Sequence, residues 1–302
     1  MSHSWAGSGF LPGPGYYATV AGGKSNEANG RYATVAGGSD NLAGHDMSPT
    51  IGYPTVGGGY ANEARGNHAT IAGGQENNAS GDTTAIGGGG NNSAQGNYSA
   101  IPGGRDNQAD GAYSFAAGRR ANTLHDGSFV WADSLDRSFY SAAVNGFRAR
   151  TTGGAQFITA VDPFGNPTAG VYVASGDSAW QTYSDRNLKE NIEPVESTEV
   201  LERLADLPIA TWNYRAQDPS IRHMGPMAQD FHAAFGLGNS DKTISTIDPD
   251  GVALSAIQGL YRIVKQKETR IAAQENTIAE QQREIATLKE RLAAIEAQLA
   301  GR

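Results

Sequence analysis

Apolar residues in the first third of the chain recur at a fixed step. A tetrad of Thr or Ala, a β-branched residue, a small residue and glycine appears as Thr19-Val20-Ala21-Gly22. It appears again as Thr34-Val35-Ala36-Gly37, 15 residues on. It recurs as Thr55-Val56-Gly57-Gly58, Thr70-Ile71-Ala72-Gly73, Ala85-Ile86-Gly87-Gly88 and Ala100-Ile101-Pro102-Gly103, and in degenerate form as Phe115-Ala116-Ala117-Gly118. Every step is 15 residues except one of 21, whose six extra residues near His45 to Thr50 read as a loop insertion. Gly15, Gly30, Gly66, Gly81, Gly96 and Gly111 precede the tetrads, and polar pairs such as Ser25-Asn26, Asn77-Asn78, Asn91-Asn92 and Asp106-Asn107 follow them. A unit this short holds two short strands and two tight turns, not a helix pair. Glycine and asparagine are expected to supply positive φ at the turns. The Val/Ile positions are expected to form one internal aliphatic column. A disordered linker has no reason to keep an aliphatic residue in phase, so the pattern predicts a β-solenoid whose coils bury almost nothing alone.

From Ser128 to Tyr183 the period is lost and aromatic residues gather, Phe129, Trp131, Phe147 and Trp180 among them. Phe147 to Thr151 and Gly170 to Ala174 alternate as strands do, with turn signals at Asn145-Gly146 and Gly153-Gly154. This stretch reads as a β-rich neck whose aromatics pack as core, with a carbohydrate platform as the alternative. Beyond it, Ser197 to Leu204 reads as a helix with Val200, Leu201 and Leu204 on one face. Ala210 to Tyr214 reads as a strand, His223 to Phe231 as strand into helix, Thr243 to Ile247 as a further strand, and Asp250-Gly251 as a turn. With heptad position a at Ile257, the a residues are Ile257, Val264, Ile271, Ile278, Ile285, Leu292 and Leu299. Position d mixes Leu260, Leu288 and Ile295 with Lys267, Gln274 and Gln281. Arg270 with Glu275, Glu284 with Lys289, and Arg291 with Glu296 pair g to the following e with opposite sign, as parallel chains in register require. A parallel coiled coil is predicted. The thin aliphatic column upstream adds a reason to expect an obligate trimer.

Composition narrows the function. The chain has 302 residues, 40 glycines and no cysteine, with net charge −8. Most glycines fall before Ser128, and no Gly-X-Y period exists, which excludes collagen. Disulfides, thiolate metal sites and cysteine nucleophiles are excluded. No basic stripe exists to neutralise phosphates, so no nucleic-acid partner is expected. No apolar run is long enough to span a membrane, and no cleavable secretion signal is read at Met1 to Trp5. No cofactor and no metal are expected. Asp248-Pro249-Asp250-Gly251 lacks the later ligands of a calcium loop and reads as a turn. His223 reads as a packing histidine.

Two resemblances follow. The Ala-x-Gly-Gly and Asn-bearing units of about residues 15–127 look like the left-handed β-roll head repeats of trimeric autotransporter adhesins, although no membrane-anchor barrel is read after them. The order Ser184-Asp185-Arg186-Asn187-Leu188-Lys189-Glu190-Asn191-Ile192, then Trp212-Asn213-Tyr214, then Gly225-Pro226-Met227-Ala228-Gln229-Asp230, then heptads, resembles a second family. This is the intramolecular chaperone of endosialidase-type phage tailspikes and fibres, peptidase family S74. That resemblance implies a trimeric chaperone that releases itself by autocleavage, with Ser184 as nucleophile, Lys189 as base and the cut between Tyr183 and Ser184.

The sequence thus predicts a mostly β chain with a C-terminal α part. Residues 1–14 are an N-terminal segment and 15–127 a trimeric left-handed parallel β-roll or solenoid of 15-residue repeats. Residues 128–183 form a β-rich neck, 184–256 a small α+β chaperone domain and 257–302 a parallel trimeric coiled coil. The expected function is a homotrimeric fibre or adhesin touching a cell-surface glycan or protein receptor, on a virion tail fibre or a bacterial surface. No activity on an outside substrate is expected. A purely structural spacer and a polysaccharide-degrading tailspike are the alternatives. No paired carboxylates in a repeated cleft geometry support the latter.

Overall fold

The computed structural model describes residues 5–6, 17–44 and 52–300. The insertion read at His45 to Thr50, Gly15, and the N-terminal segment apart from residues 5–6 lie outside them. Two compact units divide the chain, Met1–Leu188 and Lys189–Arg302.

The first unit is a parallel β-solenoid followed by a small antiparallel sheet. Each repeat contributes one two-residue strand to each of two sheets. In one sheet Val35 pairs with Val56, Val56 with Ile71, Ile71 with Ile86, and Ile86 with Ile101. In the other, Ala28, Ala43, Ala64, Ala79, Ala94 and Ala109 stand in register. Both columns are fully buried and face one another across the interior. The predicted aliphatic column is therefore present. It is as thin as the sequence indicates, one branched residue per coil.

A third buried column is polar. Asn26, Asn41, Asn62, Asn77, Asn92 and Asn107 are at most 1% exposed. The Oδ1 of Asn62 accepts from the backbone N–H of Asn77 at 3.1 Å and from its Nδ2 at 3.0 Å. The Nδ2 of Asn77 also reaches the carbonyls of Gly73 and Gly89, both at 3.1 Å. The same set repeats from coil to coil and ends where the Ala121 N–H donates to Asn107 Oδ1 at 2.9 Å. These asparagines were expected as positive-φ turn residues. They are interior rungs instead. The left-handed conformation falls on the residue just before each, at Ser25, Asp40, Ala61, Glu76, Asn91 and Asp106, and at a second corner on Tyr32, Tyr53, His68, Thr83, Tyr98 and Tyr113.

The hydrogen bonds explain these corners. Strand N–H groups point up the stack, as in Thr70 N to the Thr84 carbonyl and Ala72 N to the Ile86 carbonyl, both 2.9 Å. Corner N–H groups point back, as in Glu76 N to the Tyr60 carbonyl at 2.9 Å and Tyr98 N to the Asp82 carbonyl at 2.8 Å. Reversing one peptide in an otherwise one-way ladder requires positive φ. That costs a non-glycine residue about 1–2 kcal/mol, which the bond to the preceding coil offsets. Glycine is required for a different reason at two columns. A Cβ on Gly74 would land on the Gly89 carbonyl oxygen of the next coil, and one on Gly96 on that of Gly111.

The 15-residue period ends near residue 127, but the stacking runs on. Phe115 to Gly118 pairs with Phe129 to Ala132, which pairs with Phe147 to Arg150. The stretch read as a neck thus divides into further coils up to Arg150 and an antiparallel sheet of Gly154–Val161, Pro167–Ala174 and Gln181–Thr182. Unequal corner loops hide the period while leaving the strand register intact. Phe115, Phe129 and Phe147 stack at 4.5 and 4.9 Å on the outside of the coils, not in the core, and Phe147 is 69% exposed. At the last coil Arg150 donates from Nε to Asp133 Oδ1 at 2.7 Å and from its terminal nitrogens to the carbonyls of Arg137 and Leu135 at 2.6 and 2.9 Å. The other Asp133 oxygen accepts from Thr152 Oγ1 and N at 2.7 and 2.9 Å. This clamp satisfies carbonyls that a next coil would otherwise take, the capping a solenoid end needs.

The second unit holds α1 (Ser197–Asp206), a hairpin of Ala210–Trp212 with His223–Gly225, α2 (Ala228–Phe235) and the long α3 (Ile247–Ala300). Leu207, Phe231 and Val252 form its core with Val200, Leu204 and Ile244 against them. Two sequence expectations are corrected. Thr243 to Ser245 is irregular, and the helix starts at Ile247, so Asp250-Gly251 lies inside it. Pro249 fits because the first N–H groups of a helix have no intrahelical partner to lose.

Two predictions follow from the ladders and the clamp. Asn77→Ala strands the Gly73 carbonyl and the Asn92 backbone N–H and removes a bond to the Gly89 carbonyl, and should lower stability by about 2–4 kcal/mol in urea unfolding, against near zero for the exposed Ser80→Ala. The Thr152 hydroxyl and amide and the Arg150 guanidinium hold Asp133 well below its ordinary 3.8. A depressed carboxyl adds stability above its unfolded value and loses it as pH falls below that value. Asp133→Asn should therefore unfold earlier at neutral pH but show a flatter loss of melting temperature below about pH 4.

Candidate functional site

The residues implied as a self-cleaving pair flank one short turn in the sequence. After the strand Gln181–Thr182 the chain passes Tyr183, whose ring meets that of Tyr172 at 5.5 Å. A 3₁₀ turn spans Arg186–Leu188. Asp185 builds it: its Oδ1 accepts from Asn187 N at 2.9 Å and from Asn187 Nδ2 at 3.0 Å, and its carbonyl from Leu188 N at 3.2 Å. Ser184 and Arg186 are exposed in the first unit, and Lys189 is exposed at the start of the second.

The second unit is assembled from its helix ends. Glu196 caps α1 by accepting from Thr198 N and Oγ1 at 3.3 and 2.9 Å, and its Oε1 meets Arg262 of α3 at 3.4 Å. The Thr198 bonds, and then the Arg262 charge, hold its carboxyl pKa below its ordinary 4.5. Ser197 is buried against α3. There Gly259 is needed, since a Cβ would land on the Ser197 carbonyl oxygen. Arg203 ties α1 to α2 through the Ala234 carbonyl at 3.2 Å. His223 packs between Trp212 and Tyr214, with ring centroids at 4.8 and 5.6 Å, and meets Gln217 Oε1 at 2.9 Å. An open groove of about 630 Å³ runs beside Trp212, Tyr214, Met227 and Ile244. Among the described residues no acidic or histidine cluster could hold a metal ion. No helix there is long and apolar enough to cross a membrane.

The apolar stripe of α3 is the largest feature of this unit. Val264, Ile271, Ile278, Ile285 and Leu292 lie on one face and are 44–57% exposed. The heptad spacing announces this stripe. The Glu196–Arg262 and Gly259–Ser197 contacts had no sequence signal, because residues more than 60 positions apart make them.

Residues 184–236 match the family model Peptidase_S74, chaperone of endosialidase. A search of curated proteins finds no match to the chain. The matched segment runs from the Ser184 turn through the hairpin to the end of α2. In the chain this chaperone-like segment follows the parallel β-solenoid.

Gly259→Val should push α1 off α3 without touching the solenoid. Overpacking of this kind costs about 1–3 kcal/mol. Amide hydrogen exchange in Ser197 to Asp206 should accelerate about tenfold or more, with Val56 to Ile101 unchanged.

Proposed function

We propose that the chain is a homotrimeric fibre or adhesin whose C-terminal unit is a trimerisation chaperone that cuts itself free between Tyr183 and Ser184. The exposed a-position stripe of α3 carries the reading. Burying about half the surface of each Ile or Leu along it stabilises association by roughly 1 kcal/mol per side chain. Lys267, Gln274 and Gln281 at d would fix the register. Three aligned helices raise the local concentration of three solenoids, which helps β-structures whose pairing is slow to nucleate.

In the cut, Ser184 Oγ attacks the Tyr183 carbonyl carbon. An ester bond forms, the peptide C–N bond breaks, and Lys189 takes the hydroxyl proton and returns it to the departing Ser184 nitrogen. Water then hydrolyses the ester to a Tyr183 carboxylate and a free Ser184. A lysine does this only while neutral, which requires desolvation or a nearby cation. Packing of three chains supplies the first and Arg186 the second. The solenoid is the part that meets a cell-surface glycan or protein receptor, on a virion or a bacterial surface.

The test is a denaturing gel of the full chain beside Ser184→Ala, with native mass measured on both. Two fragments that join at Tyr183/Ser184 in the parent, one full-length band in the variant and a three-chain mass for the variant are expected. Full-length parent protein would remove the catalytic roles of Ser184 and Lys189. A one-chain mass would remove the trimer.

A further inference from the structure

One outer corner of the solenoid carries a broken stack of aromatic rings. Tyr17, Tyr32, Tyr53 and His68 stack with centroids at 5.3, 4.8 and 4.9 Å, and the last two pairs are within 7° of parallel. Tyr98 and Tyr113 resume it at 5.0 Å and 3°. Between them the same position holds Thr83. Consecutive coils pair in register here, Thr70 with Ala85 and Ala85 with Ala100, so His68 and Tyr98 lie two coil rises apart. At about 4.8 Å per rise that is about 10 Å, twice the spacing found within the stack. The threonine side chain ends near where a ring would begin. His68, Thr83 and Tyr98 are all exposed, so the gap opens to solvent.

The backbone at Thr83 supplies an independent observation. Its φ is +57°. This is an outlier for β-branched and bulky residues alike, yet Tyr occupies the same column at φ +55°, +64°, +61° and +57°. Tyrosine would fit the backbone as its neighbours do and would complete the stack. Threonine thus leaves open a place in the stack that the backbone would let a ring fill.

We infer that the gap over Thr83 is a slot for one planar aromatic side chain of a protein partner, held between the His68 and Tyr98 rings. The slot is one ring thick and open outward, so it grips a ring and leaves whatever bears the ring in solvent. A ring on a polypeptide suits this better than a sugar, whose puckered ring and axial substituents are thicker than one stacking layer. This inference rests on the solenoid as the partner-binding part and not on trimer formation or cleavage. The gel and native mass therefore fail separately from it.

The probe is N-acetyltryptophanamide, added to the full chain and followed by saturation-transfer NMR, with N-acetylleucinamide as the non-aromatic control. Saturable binding with Kd on the order of 10 mM or tighter is expected for so small a ligand. Thr83→Ala should keep it, Thr83→Tyr should abolish it, and the leucine analogue should show none. Undiminished binding to Thr83→Tyr, or no saturable binding to the parent, would overturn the slot. So would loss of the native mass in Thr83→Tyr, since a second copy of the chain would then be the occupant. Should that variant fail to fold, His68→Ala, which removes one wall, decides: at least fivefold weaker binding supports the slot and unchanged binding overturns it.

Discussion

The solenoid rests on the hydrogen-bonded contact between one coil and the next. Each coil buries a single branched side chain, an alanine opposite it and little else. Apolar burial of that size is worth a few kcal/mol per coil, far below the entropy of ordering a repeat. The backbone ladders and the asparagine rungs supply the rest. Their geometry leaves no slack, since Asn77 alone contacts two glycine carbonyls and the asparagines above and below. This explains why glycine recurs at the two crowded columns, from Gly23 to Gly118 in one and at Gly30, Gly66, Gly81, Gly96 and Gly111 in the other, and why polar side chains are tolerated almost everywhere outside them.

A structure held by nearest-neighbour contacts has two ends and no centre. Arg150 and Asp133 close one end by turning a guanidinium and a carboxylate onto groups that would otherwise wait for another coil. The antiparallel sheet that follows has no comparable interior: Phe157, Val161 and Trp180 are more than half exposed. The same holds for the stripe of α3. Both features fit the proposed trimer, in which apolar surface displayed by one chain is interior to three. In that proposed trimer, self-association at the C-terminal helix would bring the chains together before the slow, register-dependent β-pairing has to succeed.

Much of this was legible in the sequence, because periodic physics writes periodic sequence. The coil step, the Val/Ile column, α1, the hairpin and α2 were visible as spacing. The rest failed for identifiable reasons. Asn26 and its equivalents look like turn residues by type, yet their burial depends on a neighbour 15 positions away rather than on local preference. Tyr32 and Thr83 would not be assigned positive φ from any propensity, since a reversed peptide in the ladder overrides it. Coils beyond Ser128 escaped notice because corner loops changed length while strands kept register. Beyond Ile247, Asp248-Pro249-Asp250-Gly251 read as a turn, although a proline in a first helical turn gives up nothing.

The Ser184 turn differs in kind. Its residues are identified by type and order, and Asp185 shapes the backbone between them. The chemistry, however, needs a neutral lysine, and an exposed turn supplies toward it only the Arg186 cation, not the desolvation. In the proposed trimer the missing condition is assembly itself: chains must pack around Lys189 before it can act as a base. Cleavage would then be gated by correct trimerisation, so the chaperone would be released only from fibres that no longer need it. A dyad complete within one chain would cut too early. An exposed lysine that becomes competent only when three chains close around it gives the order of events that assembly requires.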